Sequence, residues 1–277
     1  MAGVDAVVHL AAIIPPAADQ NPSLAASVNI GGTQAVIQAM QTVCPNAALV
    51  YSSSVACYGD RVRNYFIKTS DPLIPCEDDE YAKQKTACEA LVRASGLSWT
   101  ICRLSYIVWR KKLAMDALMY RMPLDTRIEV CHTLDTGLAL ARAAFCTQAR
   151  GQTYNLAGGL SCRTTFRAYL DRMLGIFGLG GASFLPEEAF SAKGYHCGWM
   201  DTDEAQRLFE FQRYSLEDYY KEVEAEARSI RPWARMFRPI ARASVLARSP
   251  YLRAYYAKGG LRALLHPAVS KTSIGRL

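Results

Sequence analysis

EYAKQKTACEALVRASGLSWTICRL, residues 80–104, reads as a helix stopped by a glycine and followed at once by a strand. Glu80 to Ala94 forms the helix, and Gly96 just beyond Ser95 suits the left-handed turn that ends helices. Trp99 to Leu104 is a short, nearly all-apolar strand. The same alternation extends outward on both sides. Before it, Asp5 to Ala12 (DAVVHLAA) and Ala47 to Ser53 (AALVYSS) read as strands, with a helix at Val28 to Thr42 between them. After it come a strand at Ile128 to His132, a helix over Asp135 to Gln148 and a strand at Thr153 to Leu156. Apolar strands alternating with helices imply an α/β fold whose parallel sheet is covered on both faces.

After Gly158-Gly159 the texture changes. Phe166 to Leu174 is helical in pattern, and a glycine-rich stretch, Gly175 to Gly181, follows. Asp201 or Thr202 is placed to cap a helix over Glu204 to Phe209, and Ser215 with Asp218 approximates a capping box. This organisation suggests three parts: 1–160, 161–227 and 228–277. With 277 residues, 51% hydrophobic and 21% charged, the chain has the composition of a globular protein. No apolar run approaches the ~18 residues of a membrane-spanning helix. The nine cysteines, odd in number and never spaced C-x-x-C, argue against a disulfide framework or zinc ribbon and for reduced, packed thiols in the cytoplasm. No metal site is expected.

The chemistry-bearing residues cluster around the opening helix. Tyr81 and Lys85, at i and i+4, share one helix face. An ammonium beside a phenol can lower its pKa from the ordinary ~10 and make it an acid/base. Ser54, at a strand end 27 residues before Tyr81, can hold a carbonyl or alcohol oxygen. Such a trio suits proton transfer at an alcohol or ketone carbon while a nicotinamide exchanges hydride. His9 and His132 read as packed, hydrogen-bonded core histidines, Asn29 as a helix N-cap, and Cys57 as core. Trp199 is a candidate for lining a substrate pocket.

In order along residues 3–159, the chain carries His9-Leu-Ala-Ala12, Asn29-Ile-Gly-Gly-Thr33, Ser52-Ser-Ser-Val-Ala-Cys-Tyr-Gly59, Tyr81-Ala-Lys-Gln-Lys85, Arg103, His132 with Asp135, and Tyr154-Asn-Leu-Ala-Gly-Gly159. In this order and spacing it resembles the extended short-chain dehydrogenase/reductases, the NAD-dependent epimerase/dehydratases. The resemblance implies a Rossmann-like doubly wound parallel sheet, N-terminally truncated, with a small C-terminal substrate lobe and a basic helical tail. It implies Ser54 as the residue positioning the substrate oxygen, Tyr81 as acid/base, and Lys85 as the ribose-binding residue that tunes Tyr81. Ala11, Ala12, Asn29, Tyr81, Lys85 and Arg103 are the expected cofactor-binding residues, with NAD or NADP as cofactor.

Three departures qualify the resemblance. Sugar dehydratases of the family carry Thr-Asp-Glu where this chain has Ser54-Val55-Ala56, which disfavours water elimination. Leu104 follows Arg103 where proline is usual. No G-x-G-x-x-G turn opens the chain, so two βαβ units of the expected fold are missing, and Ala6-Val-Val-His-Leu10 becomes an exposed strand edge. A truncated or fragmentary chain is the expectation, with a natural pseudoenzyme as rival. Gly175-Ile-Phe-Gly178-Leu-Gly-Gly181 mimics a phosphate loop but follows a helix, and reads as a helix stop and connector.

The net charge of +7 conceals an asymmetry. From Arg228 onward there are 11 basic residues and no acidic ones, against 21 basic and 25 acidic before it. On a helical wheel Trp233, Met236, Phe237 and Ile240 oppose Arg235, Arg238 and Arg242, an interfacial pattern, and Leu261, Leu264 and Leu265 extend the apolar content. Two readings stand: an anionic membrane surface bound through residues 231–265, or an extension docked on the body or on a second subunit of a homodimer. Nucleic acid is not expected. The function expected is NAD(P)-dependent epimerase/dehydratase-type oxidoreduction of a small-molecule substrate, a sugar nucleotide or sterol-like alcohol. The alternative is a cofactor-free pseudoenzyme or scaffold.

Overall fold

The computed structural model describes residues 3–111 and 117–257. The expectations on Met1 and on residues 258–265 lie outside them. The chain enters as β1 (Ala6–His9), passes two short helices, α1 (Ala17–Gln20) and α2 (Pro22–Ala26), and reaches α3 (Gly32–Val43) through one π-helical turn, Ser27–Gly31. β2 (Ala48–Ser54) runs into a 3-10 turn, Val55–Tyr58, then β3 (Phe66–Ile67) and α4 (Glu80–Ala94). β4 (Ser98–Leu104), β5 (Tyr106–Val108), β6 (Arg127–His132), α5 (Thr133–Phe145) and β7 (Gln152–Leu156) follow. The rest comprises β8 (Arg163–Thr165), α6 (Phe166–Ile176), β9 (Trp199–Met200), α7 (Asp203–Phe209) and α8 (Leu216–Ala227). Three short helices close it: α9 (Arg231–Met236), α10 (Arg238–Leu246) and α11 (Pro250–Tyr255).

β1, β2, β4 and β7 form one parallel sheet in the order β1-β2-β4-β7. Strand side chains alternate faces, and β2 uses both. Leu49 and Tyr51 pack with Ile37 and Met40 of α3 and Cys88 and Val92 of α4. Val50 packs with Ala139, Leu140 and Ala143 of α5. All are buried, and each large aliphatic side chain so buried contributes about 1.5–3 kcal/mol. This is the two-faced α/β layer that the apolar strands implied. β1 is an edge strand: it pairs with β2 on one side and with no other strand among the described residues, leaving Val8 37% exposed.

A second core lies beside the sheet, under a mixed sheet in the order β5-β6-β8. Phe166, Tyr169 and Leu170 of α6 meet Tyr219 and Val223 of α8 there. Packing does not follow a cut at residue 160. Val108, Ile128 and Val130 enter the second core, whereas Ala205, Phe209 and Phe211 return to cover the main sheet. The reason is continuity of chain. β5 follows β4 after one residue and starts the second sheet, and α7 doubles back onto β7. Buried Glu129 fastens the parts together, accepting from Arg163 Nε at 2.8 Å and from Gly159 N and Met200 N at 2.9 Å each.

Local signals fare unevenly. The Ser215–Asp218 capping box is present. Thr202 stands at the N-cap of α7, but its Oγ1 accepts from Gln212 Nε2 at 2.9 Å and caps nothing. Trp199 lies in β9 beside β3 with its ring edge-on to Tyr65, a packing role. The glycine-rich stretch is a helix stop with defined bonds. Gly178, at φ +76°, donates to Gly175 O, and Leu179 N donates to Leu174 O, both at 2.9 Å, which is a Schellman ending. Gly59 is held more tightly. Its φ is +69°, and a Cβ there would fall 1.8 Å from Ile74 O. Gly59→Ala is therefore expected to destabilise the fold by about 2–4 kcal/mol, read as a lowered urea midpoint; an unchanged midpoint would rule this strain out.

The tail is docked on the second core as far as residue 257. Ala234, Ala241, Val245 and Leu246 pack against that core, and Leu252 is buried. Tyr120 Oη donates to Val245 O at 2.7 Å, Arg242 Nε to Phe184 O at 2.7 Å, and Ser249 Oγ to Ala189 O at 2.6 Å.

Candidate active site

β2 ends at Ser54, whose extended backbone lets its Oγ accept from Ala56 N at 3.2 Å and open the turn Val55–Tyr58. α4 begins where Asp79 caps it, Oδ1 accepting from Ala82 N at 2.9 Å. Tyr81, Lys85 and Glu89 then recur one turn apart on one face. That face is stapled to the strand end at two levels. Lys85 Nζ donates to Ser52 O at 2.7 Å, and Ser53 Oγ donates to Glu89 Oε1 at 2.6 Å. Two consecutive serines thus lock β2 to α4 and leave the third, Ser54, half-buried at the strand end beside Tyr81.

The electrostatics differ from the expectation in one respect. Burial pushes the Lys85 ammonium down to about 8, so it stays charged at neutral pH. Its Nζ lies 4.8 Å from the Tyr51 ring centre and 5.9 Å from that of Tyr81. Burial also raises the Tyr81 phenol, helped by the Cys57 thiol and opposed by the Ser54 hydrogen bond. In this arrangement burial dominates, so the phenol is protonated and poised as a proton donor. Burial raises Cys57 as well, and its Sγ rests 3.5 Å from Ser53 Oγ and 3.8 Å from Ala82 O, a packed neutral thiol.

Asn29 is not an N-cap. It sits inside the π-turn, accepts from Ile13 N at 2.7 Å, and donates to Ile13 O at 3.0 Å and to Gln84 Oε1 at 2.7 Å. It clamps the loop after β1 to the residue beside Lys85. Within that loop Ala11 is exposed and Ala12 half-buried, so both can line a groove. Arg103 departs from its expected place on the cofactor. Its Nε and Nη2 each meet a Glu89 oxygen at 2.8 Å, and Nη1 donates to Tyr58 Oη at 2.7 Å and Thr69 O at 3.1 Å. A buried guanidinium with its donors so engaged is a structural tie. His9 bonds Thr33 Oγ1 at 3.0 Å. His132 caps α5 through Leu134 N, stacks on Tyr214 and lies 3.1 Å from Glu222. Glu89 and Gln84 carried a faint signal in their spacing on the Tyr81 helix; His196, whose Nδ1 reaches Asp79 Oδ2 at 3.3 Å from the second lobe, carried none.

A buried ammonium with one hydrogen bond keeps two N–H groups for ribose hydroxyls, and half-buried Ser54 and Tyr81 flank it. The residues present therefore fit the nicotinamide end of a dinucleotide. No G-x-G-x-x-G turn after a strand, the usual pyrophosphate cradle, occurs among the described residues. The described cysteines are free, and no group of three metal-ligating side chains occurs among the described residues.

The NAD dependent epimerase/dehydratase family matches over residues 1–108, the stretch that carries all three of Ser54, Tyr81 and Lys85. A D-erythronate dehydrogenase from Haemophilus influenzae is 30% identical over 88 residues, which are 32% of this chain. The match spans only 27% of that enzyme's length. Among solved structures, a dTDP-glucose 4,6-dehydratase double mutant from Streptomyces venezuelae, with NAD, superposes with a TM-score of 0.66 at 23% identity, covering 84% of this chain and 76% of that one. A UDP-glucuronic acid 4-epimerase from Bacillus cereus, with UDP-glucuronic acid and NAD, gives 0.65 at 16% identity, covering 82% and 76%. At these identities the likeness is one of fold alone.

Proposed function

We propose that this chain carries the proton-transfer centre of an NAD-dependent epimerase or dehydrogenase acting on a hydroxyl or keto carbon of a nucleotide sugar. The observation that carries the reading is the convergence of Ser54, Tyr81 and a buried, under-bonded Lys85 at one strand end. A nicotinamide, when bound, supplies the hydride exchange. Ser54 Oγ holds the substrate oxygen, and Tyr81 Oη gives or takes its proton. Lys85 holds the ribose hydroxyls through its two remaining N–H groups and, as ammonium, favours the phenolate when base work is required. Asn29 and Gln84 keep the groove beside Ala11 and Ala12 in register with that pair. Nucleotide sugars are taken ahead of a sterol-like alcohol because two of the structural relatives are named for them. Val55 and Ala56 stand where a dehydratase needs carboxyl groups, so epimerisation or simple oxidation is preferred to elimination.

The test is calorimetric binding of NAD and NADH, followed by turnover of UDP- and dTDP-hexoses. Tyr81→Phe is expected to lower turnover by about 10²–10⁴-fold while leaving NAD affinity unchanged. Turnover at the parent rate by Tyr81→Phe would remove the phenol from the chemistry, and failure of the chain to bind NAD would leave the site as a scaffold.

A further inference from the structure

The tail helices are mounted with their large apolar side chains outward. A basic amphipathic segment docked on a protein ordinarily turns its apolar face to the core. Here the small residues Ala234 and Ala241, with Val245, face the second core. Trp233, Met236 and Ile240 are 62%, 59% and 66% exposed, and Ile230 and Phe237 are exposed beside them. The rings of Trp233 and Phe237 stack in parallel, 6.3 Å between centres, so they form one plate. The mounting is fixed by bonds that a rolled helix would break: Arg242 Nε to Phe184 O, Tyr120 Oη to Val245 O, and Ser249 Oγ to Ala189 O. Glycines complete the seat. Arg235 lies across Gly178 and Arg238 across Gly180, close enough that a Cβ on either glycine would collide with the arginine, and the Arg238 guanidinium sits 5.7 Å from the Phe184 ring centre.

Charge surrounds this plate on one side of the balance only. Residues 228–257 hold seven arginines and no Asp or Glu. Of these, Arg231 reaches Glu224 at 3.4 Å, while Arg235, Arg238 and Arg242 make no ion pair among the described residues. No helix among the described residues is long and apolar enough to cross a membrane.

We propose that α9 and α10 form a docking face for an anionic phospholipid surface, with Trp233, Met236, Phe237 and Ile240 entering the headgroup–acyl boundary and the surrounding arginines meeting lipid phosphates. Contiguous exposed apolar side chains mark an interaction site, and stacked aromatics flanked by arginine suit the membrane–water boundary. A protein partner would have to bring acidic groups at matching positions. A fluid layer of anionic headgroups supplies them at any spacing, and its attraction grows with each arginine near the surface. The inference is independent of the proposed chemistry, since it uses no residue of the active site.

The test uses the full chain and co-sedimentation with vesicles of phosphatidylcholine, alone or with phosphatidylglycerol added. Binding is expected to the anionic vesicles, with a blue shift of indole emission, and to be released at about 0.5 M salt. Trp233→Ser combined with Phe237→Ser should weaken it about tenfold or more, with the circular dichroism melt unchanged because both side chains already face solvent. Equal binding by the double variant would assign any vesicle affinity to other basic residues and overturn the proposal. So would no binding at all. Self-association abolished by the double variant, without vesicle binding, would assign the face to a second copy instead.

Discussion

Glu89→Ala is expected to destabilise the chain by about 3–5 kcal/mol at neutral pH, the range seen when one partner of a buried ion pair is removed. Against the ~5–15 kcal/mol that holds a typical domain together, that is enough to bring the fold near its limit. Glu89 is 1% exposed and grips the Arg103 guanidinium with both oxygens at 2.8 Å. Its loss strands a buried cation and frees Ser53 Oγ from its only carboxylate partner. Burial opposes ionisation of Glu89, but the bonds and charge of Arg103, with Ser53, outweigh it and hold the carboxyl below its usual range. A depressed carboxylate stabilises above its unfolded pKa of ~4.3 and loses that contribution as pH falls through the folded value. The gap between parent and variant in urea midpoint should therefore narrow in acid. Glu89→Gln, which keeps one acceptor oxygen for Ser53 Oγ and Arg103 Nε but turns a donor toward Arg103 Nη2, should lose less than the alanine variant. A gap that stays constant from neutral pH to pH ~3 would show that the carboxylate is not the ionised group argued for here.

Lys85→Met is expected to have two separable effects. Turnover should fall by about 10²–10⁴-fold, since the proposed site relies on the Lys85 ammonium to hold ribose and favour the phenolate. Stability should change in a pH-dependent way. Folded Lys85 titrates at about 8 because burial disfavours its charge, whereas a free lysine titrates near 10.5. Between those values the unfolded chain binds more protons, so the parent gains stability as pH rises, by at most about 3 kcal/mol over the window. The methionine variant lacks this term. Its stability relative to the parent should be highest near neutral pH and should decline toward pH ~10. Loss of the bond to Ser52 O offsets part of the variant's neutral-pH advantage. Urea denaturation of both proteins across this range reads the effect, and parallel curves would mean that Lys85 is not desolvated.

The main sheet was legible because β2 and β4 each carry a short apolar stretch, Ala48–Tyr51 and Trp99–Cys102, set between helical patterns. α4 was legible to the residue, since Asp79 caps one end and Gly96 follows the other. The π-turn at Ser27–Gly31 was not, because its bonds follow from Asn29 reaching sideways to Ile13 and Gln84, contacts 16 and 55 residues away. The catalytic candidates were visible as a spacing. Their supports were not: Arg103 looked available until Glu89, on another element, was seen to occupy it. The second lobe hid its boundary for a similar reason, since Phe209 and Phe211 are apolar in either core. The tail's amphipathicity was plain in sequence, but which side faces the body depends on backbone acceptors at Phe184 and Ala189 that no periodicity encodes.

The contact between His196 and Asp79 ties two events that would otherwise be independent. Asp79 is at once the cap of α4 and the anchor for a side chain of the second lobe. The seating of Tyr195-His196 and the order of the first helical turn, where Tyr81 sits, therefore depend on the same carboxylate. A change that displaces His196 from Asp79 would also loosen the cap of that turn, and one that uncaps the turn would free His196 by an equal free energy. The carboxylate that caps the Tyr81 helix thus links a side chain more than a hundred residues away to the placement of the phenol.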